Sequence, residues 1–509
     1  MFYTSPDKEL IYLEIRFRED TVSCLEPVLY QDREHEVTQE LRLPDSMPDA
    51  GRVICGWAQP VIRSKEWRSD SVYASGGMTV WVLYVPEDGS QSRWVDAWVP
   101  FQMKWDIPSG ETDGVLRLMC SPTPVDARLV SERKLMLRCP VRILAEALVP
   151  MQEKLALPQE LPEDVQVLKQ SYPVTLLREA GEQQFQLDEE LSLPSGSPDA
   201  QKIISYTLWP VITEQKISAD KIIYRGNIRL ELVYLGEDGK LHSTVICVPF
   251  SQLAQLDVSY GPESGADVVL SPASHELELT EEGMLRLKCD LIGQYLVQQR
   301  QLVEVIEDAY SYLRPVNMTA EEVRLPVVLD RYREAVHLDE KVNQPCEHIV
   351  QTCLYPGPCQ RTDDGDGMDL TGLAQVLYYD DTGALKSANL RWREKIPSDA
   401  DKNCKIFSMP ADTDRVRTQT DGSQITLSGE LEMKLTAMCS QRFPSVTGLE
   451  LGQVSDEPVR RPSLILKRRG KLSLWEIAKG CGSTVEDILG ANPDKVQNDE
   501  AGFLLIPVR

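Results

Sequence analysis

The feature that most constrains the fold is a segment that occurs twice, almost letter for letter. Residues 40–50 read ELRLPDSMPDA and residues 190–200 read ELSLPSGSPDA, so the offset is 150 residues. A repeat of this length corresponds to a whole domain rather than to one unit of a solenoid. The sequence therefore predicts a tandem array of one domain type. The paired prolines exclude a helix interior or a central strand, and they predict a rigid extended loop.

Strand signals recur at the same interval. Alternating apolar runs at 78–84 (MTVWVLY) and 228–234 (IRLELVY) predict strands with one buried face. Each run is followed by a turn that contains an Asp-Gly pair, which predicts a hairpin. Leucine-rich runs that end at Cys139 and Cys289 predict a further strand in each copy.

A third copy is present in a more diverged form. Residues 376–378 (VLY), with a turn at 381–383, correspond to the hairpin of the first two copies. Residues 349–356 correspond to the strand that precedes it, and residues 425–427 to the leucine-rich strand. The proline-rich loop is shortened, so we expect the third domain to differ from the others at that edge.

Strands at regular spacing with few helical stretches predict a mainly β protein. The expected architecture is three tandem β-sandwich-like repeat domains followed by a small βααβ module. The predicted boundaries are 1–157, 165–303 and 315–450 for the three repeats, 451–461 for a linker and 462–509 for the module. The segment from Glu304 to Arg314, between the second and third repeats, is predicted to form one short helix.

The C-terminal module carries its own helix signals. Ser473 and Glu476 form a predicted capping box. In a capping box the serine side chain accepts from the glutamate backbone N–H, and the glutamate side chain accepts from the serine backbone N–H. This first helix is predicted to end at Gly480. Ser483 and Glu486 form a second capping box at the start of the next helix. Short apolar runs on either side predict two flanking strands.

This module resembles the LysM module. The resemblance rests on SLWEIA at 473–478, TVEDIL at 484–489, Asn492 and LLIP at 504–507. It implies that the helices and strands form one small domain. We expect Trp475, Ile477 and Leu489 to be structural residues of that domain.

Two loops of the module depart from the LysM pattern. Residues 470–473 (GKLS) and 500–502 (EAG) stand where the family has Gly-Asp-Thr and Pro-Gly-Gln. In LysM proteins these loops form the groove for N-acetylglucosamine chains. A cell-wall protein that binds peptidoglycan or N-acetylglucosamine is therefore an alternative function rather than the leading one.

The repeats resemble the SPOCS repeat, through Leu-x-Leu-Pro…Pro-Asp, Val-Leu-Tyr and Val-Pro-Phe. Three such repeats with a C-terminal LysM module resemble the spore coat morphogenetic proteins of the SipL type. The resemblance implies a non-enzymatic scaffold in spore coat assembly. It also implies that the LysM module binds a protein partner, the ATPase that polymerises as the coat basement layer.

The expected location follows from this resemblance and from two features of the sequence. The N-terminus has no basic segment followed by an apolar one, so no secretory signal is expected. No run of about 18 apolar residues predicts a membrane span. We therefore expect a cytoplasmic protein of the mother cell, at the forespore or spore coat surface. Self-association of the repeats is left open.

Two sets of residues in or beside the module are candidates for partner contact. Loop residues expected to face a partner or a glycan are Lys471, Leu472, Ser473, Asn492 and Lys495. A basic docking patch for an acidic partner face is predicted at Arg460, Arg461, Lys467, Arg468 and Arg469. The same charges also fit a solvated surface. The whole chain carries a net charge of −25, which argues against nucleic acid as a ligand.

Signals for catalysis and for metal binding are weak. The sequence contains no G-x-S-x-G, Walker A or H-E-x-x-H motif, so no catalytic residue is predicted. A hydrolase that uses the diverged third copy is a minor alternative. No cofactor and no metal site are predicted. The grouping of Cys346, His348, Cys353 and Cys359 does not have a zinc spacing, and residues 363–369 are predicted to be a solvated turn. The 12 cysteines are expected to be buried free thiols.

Overall fold

The computed structural model describes residues 13–108, 113–362, 367–398, 401–454, 462–468, 471–493 and 503–509. Within these residues the protein is mainly β, as predicted, with two short helices in the C-terminal module. No helix in these segments is both long and apolar enough to cross a membrane.

Each copy supplies a similar series of strands. The first copy contains β1 (Leu13–Glu14), β2 (Phe17–Arg42), β3 (Ala50–Arg68), β4 (Ser71–Pro86), β5 (Arg93–Asp106), β6 (Val115–Ser121), β7 (Asp126–Ser131) and β8 (Lys134–Pro158). The second contains β9 (Val165–Leu191), β10 (Ala200–Ser218), β11 (Lys221–Gly236), β12 (Leu241–Gln255), β13 (Ser264–Leu279) and β14 (Leu285–Ser311). The third contains β15 (Val316–Val342), β16 (His348–Arg361), β17 (Gly367–Tyr379), β18 (Leu385–Pro397), β19 (Lys405–Asp412), β20 (Arg417–Thr420) and β21 (Ile425–Leu451).

Every copy is built on one pair of long antiparallel strands and one three-stranded sheet. The long pairs are β2 with β8, β9 with β14, and β15 with β21. The three-stranded sheets are β3-β4-β5, β10-β11-β12 and β16-β17-β18. On the far side of the second long strand lies an additional strand, which is continuous in the second copy (β13) and divided in the other two (β6 and β7, β19 and β20).

The two layers of a copy bury the faces that the alternation predicts. In the first copy Val80 and Val82 of β4 lie in one core cluster with Leu135 and Leu137 of β8. Cys139, at the end of the leucine-rich run, is fully buried in the same cluster and acts as a small apolar residue. The outward residues between them remain polar, because one face of each antiparallel sheet is solvated.

The proline-rich loop joins the two layers. In the first copy the Tyr84 hydroxyl donates to the Pro48 carbonyl at 3.2 Å. Arg133 donates to the Pro44 carbonyl at 2.7 Å and to the Asp49 carboxylate at 2.6 Å. These bonds hold the chain as it passes from β2 to β3. In the third copy β15 ends at Val342 and β16 begins at His348, which agrees with the shortened loop.

The three copies contact one another in a closed ring rather than in a row. The first and second copies meet where the Leu208 amide donates to the Gln59 side-chain oxygen at 2.8 Å. The second and third meet where the Ser243 hydroxyl donates to the Val350 carbonyl. The third returns to the first through the Ser387 hydroxyl, which donates to the Ile54 carbonyl at 2.7 Å.

The last two contacts are the same contact made by different copies. Ile54 and Val350 both lie at the β-bulge where the first strand of the sheet shifts register. Ser243 and Ser387 both pair with the residue just before a tyrosine of the central strand, Tyr234 in β11 and Tyr378 in β17. The ring therefore has a pseudo-threefold axis, and its shared core contains residues of all three copies. We call this part of the molecule the head.

The outer halves of the three long strand pairs extend away from the head and pack side by side. They comprise residues 17–27 with 148–158, 165–177 with 298–311, and 316–328 with 438–451. A register shift marks the start of each half, as is typical of bulges that redirect a strand. Their inward residues, among them Val22, Val303 and Val323, form a common core. We call this bundle of strands the stalk.

Two predictions are corrected here. No helix joins the second and third copies: residues 304–311 continue β14, and they stay paired with β9 across a bulge between Ile306 and Asp308. Val305, Ile306 and Ala309 are buried in the stalk. The cysteines are not all free thiols either. Cys404 and Cys439 form a disulfide with their Cα atoms 4.5 Å apart, and Cys247 is an exposed thiol.

Candidate functional site

The C-terminal module has the predicted order of strand, helix, helix and strand. It contains β22 (Leu464–Arg468), α1 (Leu474–Cys481), α2 (Val485–Ala491) and β23 (Phe503–Pro507). The two strands pair antiparallel, with Ile465 opposite Ile506. Ile477 and Ile488, from the two helices, are fully buried with Ile506 and complete a small core.

The helix ends agree only in part with the capping predictions. Ser473 caps α1, and its capping box with Glu476 is present in both directions. The helix ends at Cys481, one residue later than predicted, and it is capped by Gly482, whose φ of 65° suits glycine. The cap of α2 is Thr484 rather than Ser483: its hydroxyl accepts from the Asp487 amide at 3.1 Å. Ser483 is buried against the second copy instead.

The module is anchored on the far end of the stalk, at the last residues of β14. Tyr310 of the second copy lies in the module's core cluster, and its ring meets the Trp475 ring edge-on at 4.8 Å. The Tyr310 hydroxyl donates to the Ser483 carbonyl at 2.8 Å. Burial raises the pKa of Tyr310 to about 12.

Asp308 is the polar centre of the same contact. Its carboxylate accepts from the Trp475 indole N–H at 2.7 Å and pairs with the Lys479 ammonium at 2.6 Å. Trp475 and Lys479 are one helical turn apart, so they present one face of α1 to the aspartate. Trp475 is thus a residue of the contact between module and stalk as well as of the module.

The C-terminal arginine closes the contact. Arg509 pairs with Asp487 at 2.6 Å, and this hydrogen-bonded pairing lowers the pKa of the Asp487 carboxyl. The Arg509 guanidinium also lies 5.5 Å from the centre of the Tyr312 ring. Helix, cap and terminus of the module therefore all touch the end of one long strand of the second copy.

The predicted loop residues have different environments. Lys471 and Leu472 are exposed, with 43% of Leu472 accessible. The Ser473 hydroxyl is occupied as the cap of α1. Asn492 corrects the prediction, because it is only 4% exposed. Lys495 lies outside the described residues.

Asn492 is a structural residue that joins α2 to β23. Its amide donates to the carbonyls of Ile488 and Leu505, at 2.8 and 2.7 Å, and its oxygen accepts from the Leu505 amide at 2.9 Å. An asparagine suits this position between a helix and a strand, because its side-chain amide can both donate and accept hydrogen bonds to the backbone. Leu489 is a second correction: it was expected to be structural, but it is 41% exposed.

The basic patch is described only in part. Arg468 is exposed on β22, and Lys467 is half-buried with its ammonium 3.9 Å from the Cys481 sulfur. Arg460, Arg461 and Arg469 lie outside the described residues. Arg468 of the predicted patch therefore lies at the surface of the module, as does the loop residue Lys471.

The outer face of the two-stranded sheet is apolar, which the sequence analysis did not anticipate. Leu464, Leu466 and Leu505 are exposed to 53%, 61% and 37%. Leu466 and Leu505 are paired across the two strands and so share a face. The alternation of β22 contains this signal, since Ile465 between the two leucines points inward.

Asp308 and Tyr310 were also missed. They fall in the segment that was assigned to a linking helix, where side chains two apart would not share a face. Reading the segment as the continuation of a strand would have placed both at the end of the stalk.

Among the described residues, one group of three possible metal ligands has its carboxylate oxygens within 4.8 Å of one another. It consists of Asp49, Glu87 and Glu132, and not of the cysteine grouping of the third copy. Cys346, Cys353 and Cys359 are each buried as free thiols. In the predicted solvated turn, residues 363–366 lie outside the described part of the chain, and Asp369 pairs with Arg393 at 2.6 Å.

A comparison with protein-family models finds a match within the second copy. Residues 199–277 match the family model described as SipL, SPOCS domain. The match covers β10, β11 and β12, which form the three-stranded sheet of this copy, and most of β13, the additional strand that pairs with β14. This confirms the SPOCS part of the predicted resemblance, and it suggests a sporulation-related coat protein. No curated protein and no solved structure matches the chain.

Proposed function

We propose that this protein is a non-enzymatic scaffold of spore coat assembly, which docks through its LysM-like module onto a protein partner at the forespore surface. The observation that carries the proposal is the SPOCS match in the second copy. The module is anchored on a strand of that same copy, through Asp308 and Tyr310. Head, stalk and module therefore act as one unit.

The proposed role of the head and stalk is to hold the module in a fixed position. Each copy buries its sheet against the other two, and the long strands carry this rigidity to the module. Strands paired along their whole length bend less than a flexible linker, so a partner bound at the module is held at a defined place relative to the head. An assembly protein needs this property more than it needs a cleft.

The proposed partner is the ATPase that forms the coat basement layer, and the proposed location is the mother-cell cytoplasm. The exposed surface of the module offers Arg468 and Lys471 beside Leu466 and Leu472. Cations bordering an apolar surface fit a protein face that combines acidic and apolar side chains. The loop departures from the LysM pattern favour a protein over a glycan.

The test is recruitment in sporulating cells. A fluorescent fusion of the whole chain is expected to encircle the forespore, and a fusion that lacks residues 462–509 is expected to remain diffuse. The double charge reversal Arg468→Glu with Lys471→Glu should reduce recruitment, whereas Arg442→Glu on the exposed stalk surface should not. Normal encirclement by the truncated fusion would contradict docking through the module. Retention of the full chain by purified peptidoglycan, without the ATPase, would favour the glycan-binding alternative.

A further inference from the structure

The outer side of β12 is an uncovered strand edge in the second copy. β12 is the last strand of the sheet β10-β11-β12, and among the described strands it pairs only with β11. Val245 and Leu253 are 47% and 50% exposed, and Cys247 between them is an exposed thiol. Ile223 of β11 lies opposite Leu253 and is also exposed. Exposed apolar side chains along a free strand edge make that edge a template for pairing with another chain.

The other two copies provide a comparison at the same positions. Val245, Asp96 and Asn389 correspond, because each lies opposite the residue three before a tyrosine of its central strand. Every second residue from these positions onward is exposed and belongs to an outward row. The rows are Val245, Cys247, Pro249, Ser251 and Leu253 in β12, Asp96, Trp98, Pro100, Gln102 and Lys104 in β5, and Asn389, Arg391, Arg393, Lys395 and Pro397 in β18. Charged side chains are present in the rows of β5 and β18 and absent from the row of β12.

The backbone of the β5 row shows which groups face the edge. The carbonyls of Trp98 and Lys104 accept from the side chains of Gln39 and Arg33, at 3.4 and 3.5 Å. Both donors lie on β2, so the first copy covers part of this edge with its own long strand.

The corresponding backbone groups of β12 are open. The carbonyls of Cys247 and Leu253 stand at the positions of Trp98 and Lys104, and they have no hydrogen-bond partner in the described part of the chain. The N–H and C=O of one residue point to the same side of a strand, so the amides of the row face outward as well, except at Pro249, which has no N–H. β12 therefore offers a row of unpaired donors and acceptors.

A second copy of this chain is the partner that fits this edge. The chain carries a net charge of −25, so two copies repel each other over most of their surface. Like charges opposite one another across two strands are destabilising, so the cations Arg391 and Lys395 disfavour self-pairing of β18. At β5 the edge carbonyls are already engaged by β2. β12 has neither obstacle, because its row can lie beside an identical row in any register without opposing charges.

We propose that β12 is a self-association surface, at which two copies of this chain pair antiparallel about a twofold axis. The two sheets β10-β11-β12 then form one six-stranded sheet, and the apolar rows of the two chains lie side by side. A twofold contact needs only one self-complementary surface, which the uncharged row supplies. Pro249 costs each chain one hydrogen bond, and a proline whose nitrogen faces outward is typical of an edge strand.

The first experiment is sedimentation velocity of the full chain over a range of concentrations, in which the wild type should form a reversible dimer. Val245→Lys with Leu253→Lys places like charges on both edges and should raise the dimer dissociation constant at least about 100-fold. The variant should fold, because Lys104 already stands at the position of Leu253 in the first copy.

Two further variants serve as controls. Leu302→Lys with Val130→Lys makes the same charge change at exposed apolar residues outside the row, and it should dimerise as the wild type does. Cys247→Ser should also dimerise, because the proposed contact is made by strand pairing and not by a disulfide between chains.

Hydrogen exchange of the wild type locates the contact. Amides of residues 245–253 should exchange more slowly as the chain concentration rises, whereas those of β5 should not change. A wild type that stays monomeric at every concentration, or a dimer without this protection, would overturn the proposal. An unweakened dimer in Val245→Lys with Leu253→Lys, or its loss in Cys247→Ser, would do the same. The exchange measurement needs only the wild type, so the test stays decisive if the lysine variant does not fold.

Discussion

Arg117 and Asp267 stand at the same position of the first two copies, 150 residues apart, and their side chains bind each other. A sequence repeat would ordinarily place the same residue at both positions. Here opposite charges occupy them, and Phe407 occupies the third. The three copies have therefore diverged to complement one another around the axis, which explains how a tandem array closes into one ring.

Replacing Asp267 tests this complementarity. Asp267→Asn leaves Arg117, Arg331 and Lys434 without their central carboxylate, and we expect the head to lose about 3–5 kcal/mol of stability. Urea unfolding monitored by tryptophan fluorescence measures the loss. Asp188→Asn is the control, because its pair with Arg286 is more than 40% exposed on both sides and is screened by solvent, so its loss should change stability little. Similar shifts of the unfolding midpoint in the two variants would contradict the central role of Asp267.

The contact between the first two copies should respond to pH through His275. The His275 Nε2 lies 3.3 Å from the Thr79 hydroxyl of the first copy, and its Nδ1 lies 2.8 Å from the Tyr206 hydroxyl of its own copy. Burial lowers the pKa of His275 from 6.5 to about 4. Between these pH values the unfolded chain binds a proton that the folded chain does not. Stability should therefore fall as the pH is lowered from 6.5 to 4, by up to about 3 kcal/mol from this residue.

The pH prediction is checked by urea unfolding midpoints across that range. His275→Gln should show a weaker decline than the wild type, whereas His337→Gln, at a position whose side chain is 78% exposed, should not. An identical decline in wild type and His275→Gln would show that the buried histidine does not contribute.

Detachment of the module is predicted for Asp308→Ala. The substitution removes the acceptor of the Trp475 indole and the partner of Lys479, a loss of about 1–3 kcal/mol for a contact that is partly exposed. Hydrogen exchange of α1 should accelerate while exchange in the head stays unchanged. Glu486→Gln, on the exposed side of α2, serves as control, and unaltered exchange in Asp308→Ala would contradict the anchoring.

Gly226 of the head, and Gly76 at the same position of the first copy, leave no room for a side chain. At Gly226 an added Cβ would lie 1.9 Å from the Val211 carbonyl oxygen, and Gly76 has the same relation to Val61 in the first copy. Gly226→Ala should destabilise the head by about 1–3 kcal/mol, because the backbone of the bulged strand must move away. Gly490→Ala, where nothing lies within 4 Å, is the control in the same unfolding assay. Equal stability of the two variants would contradict this constraint.

The sequence was sufficient for the local architecture of the protein. The alternation in residues 228–234 predicted β11, and the Asp-Gly turn predicted its hairpin, because both depend on neighbours in sequence. The capping box of Ser473 was likewise predicted, since its two partners are three residues apart. These features need no information about distant contacts.

The ring, the stalk and the anchoring of the module could not be predicted in this way. Each depends on contacts between residues more than 100 positions apart, such as Ser387 with Ile54 and Trp475 with Asp308. The linking helix was wrong for the same reason: residues 304–311 form a strand because the other two copies supply a stalk core. The sequence places Asn492 in a loop but does not show that its amide binds Leu505, which lies 13 residues away on another strand. The prediction that Asn492 faces a partner was therefore wrong.

The most direct test of the proposed function is the affinity of the purified chain for the purified coat basement-layer ATPase. The full chain should bind saturably, and a chain that ends at Gly452, before the module, should bind at least about 100-fold more weakly, a difference of about 2.7 kcal/mol. Equal affinity of the two chains, or no binding by the full chain, would contradict docking through the module.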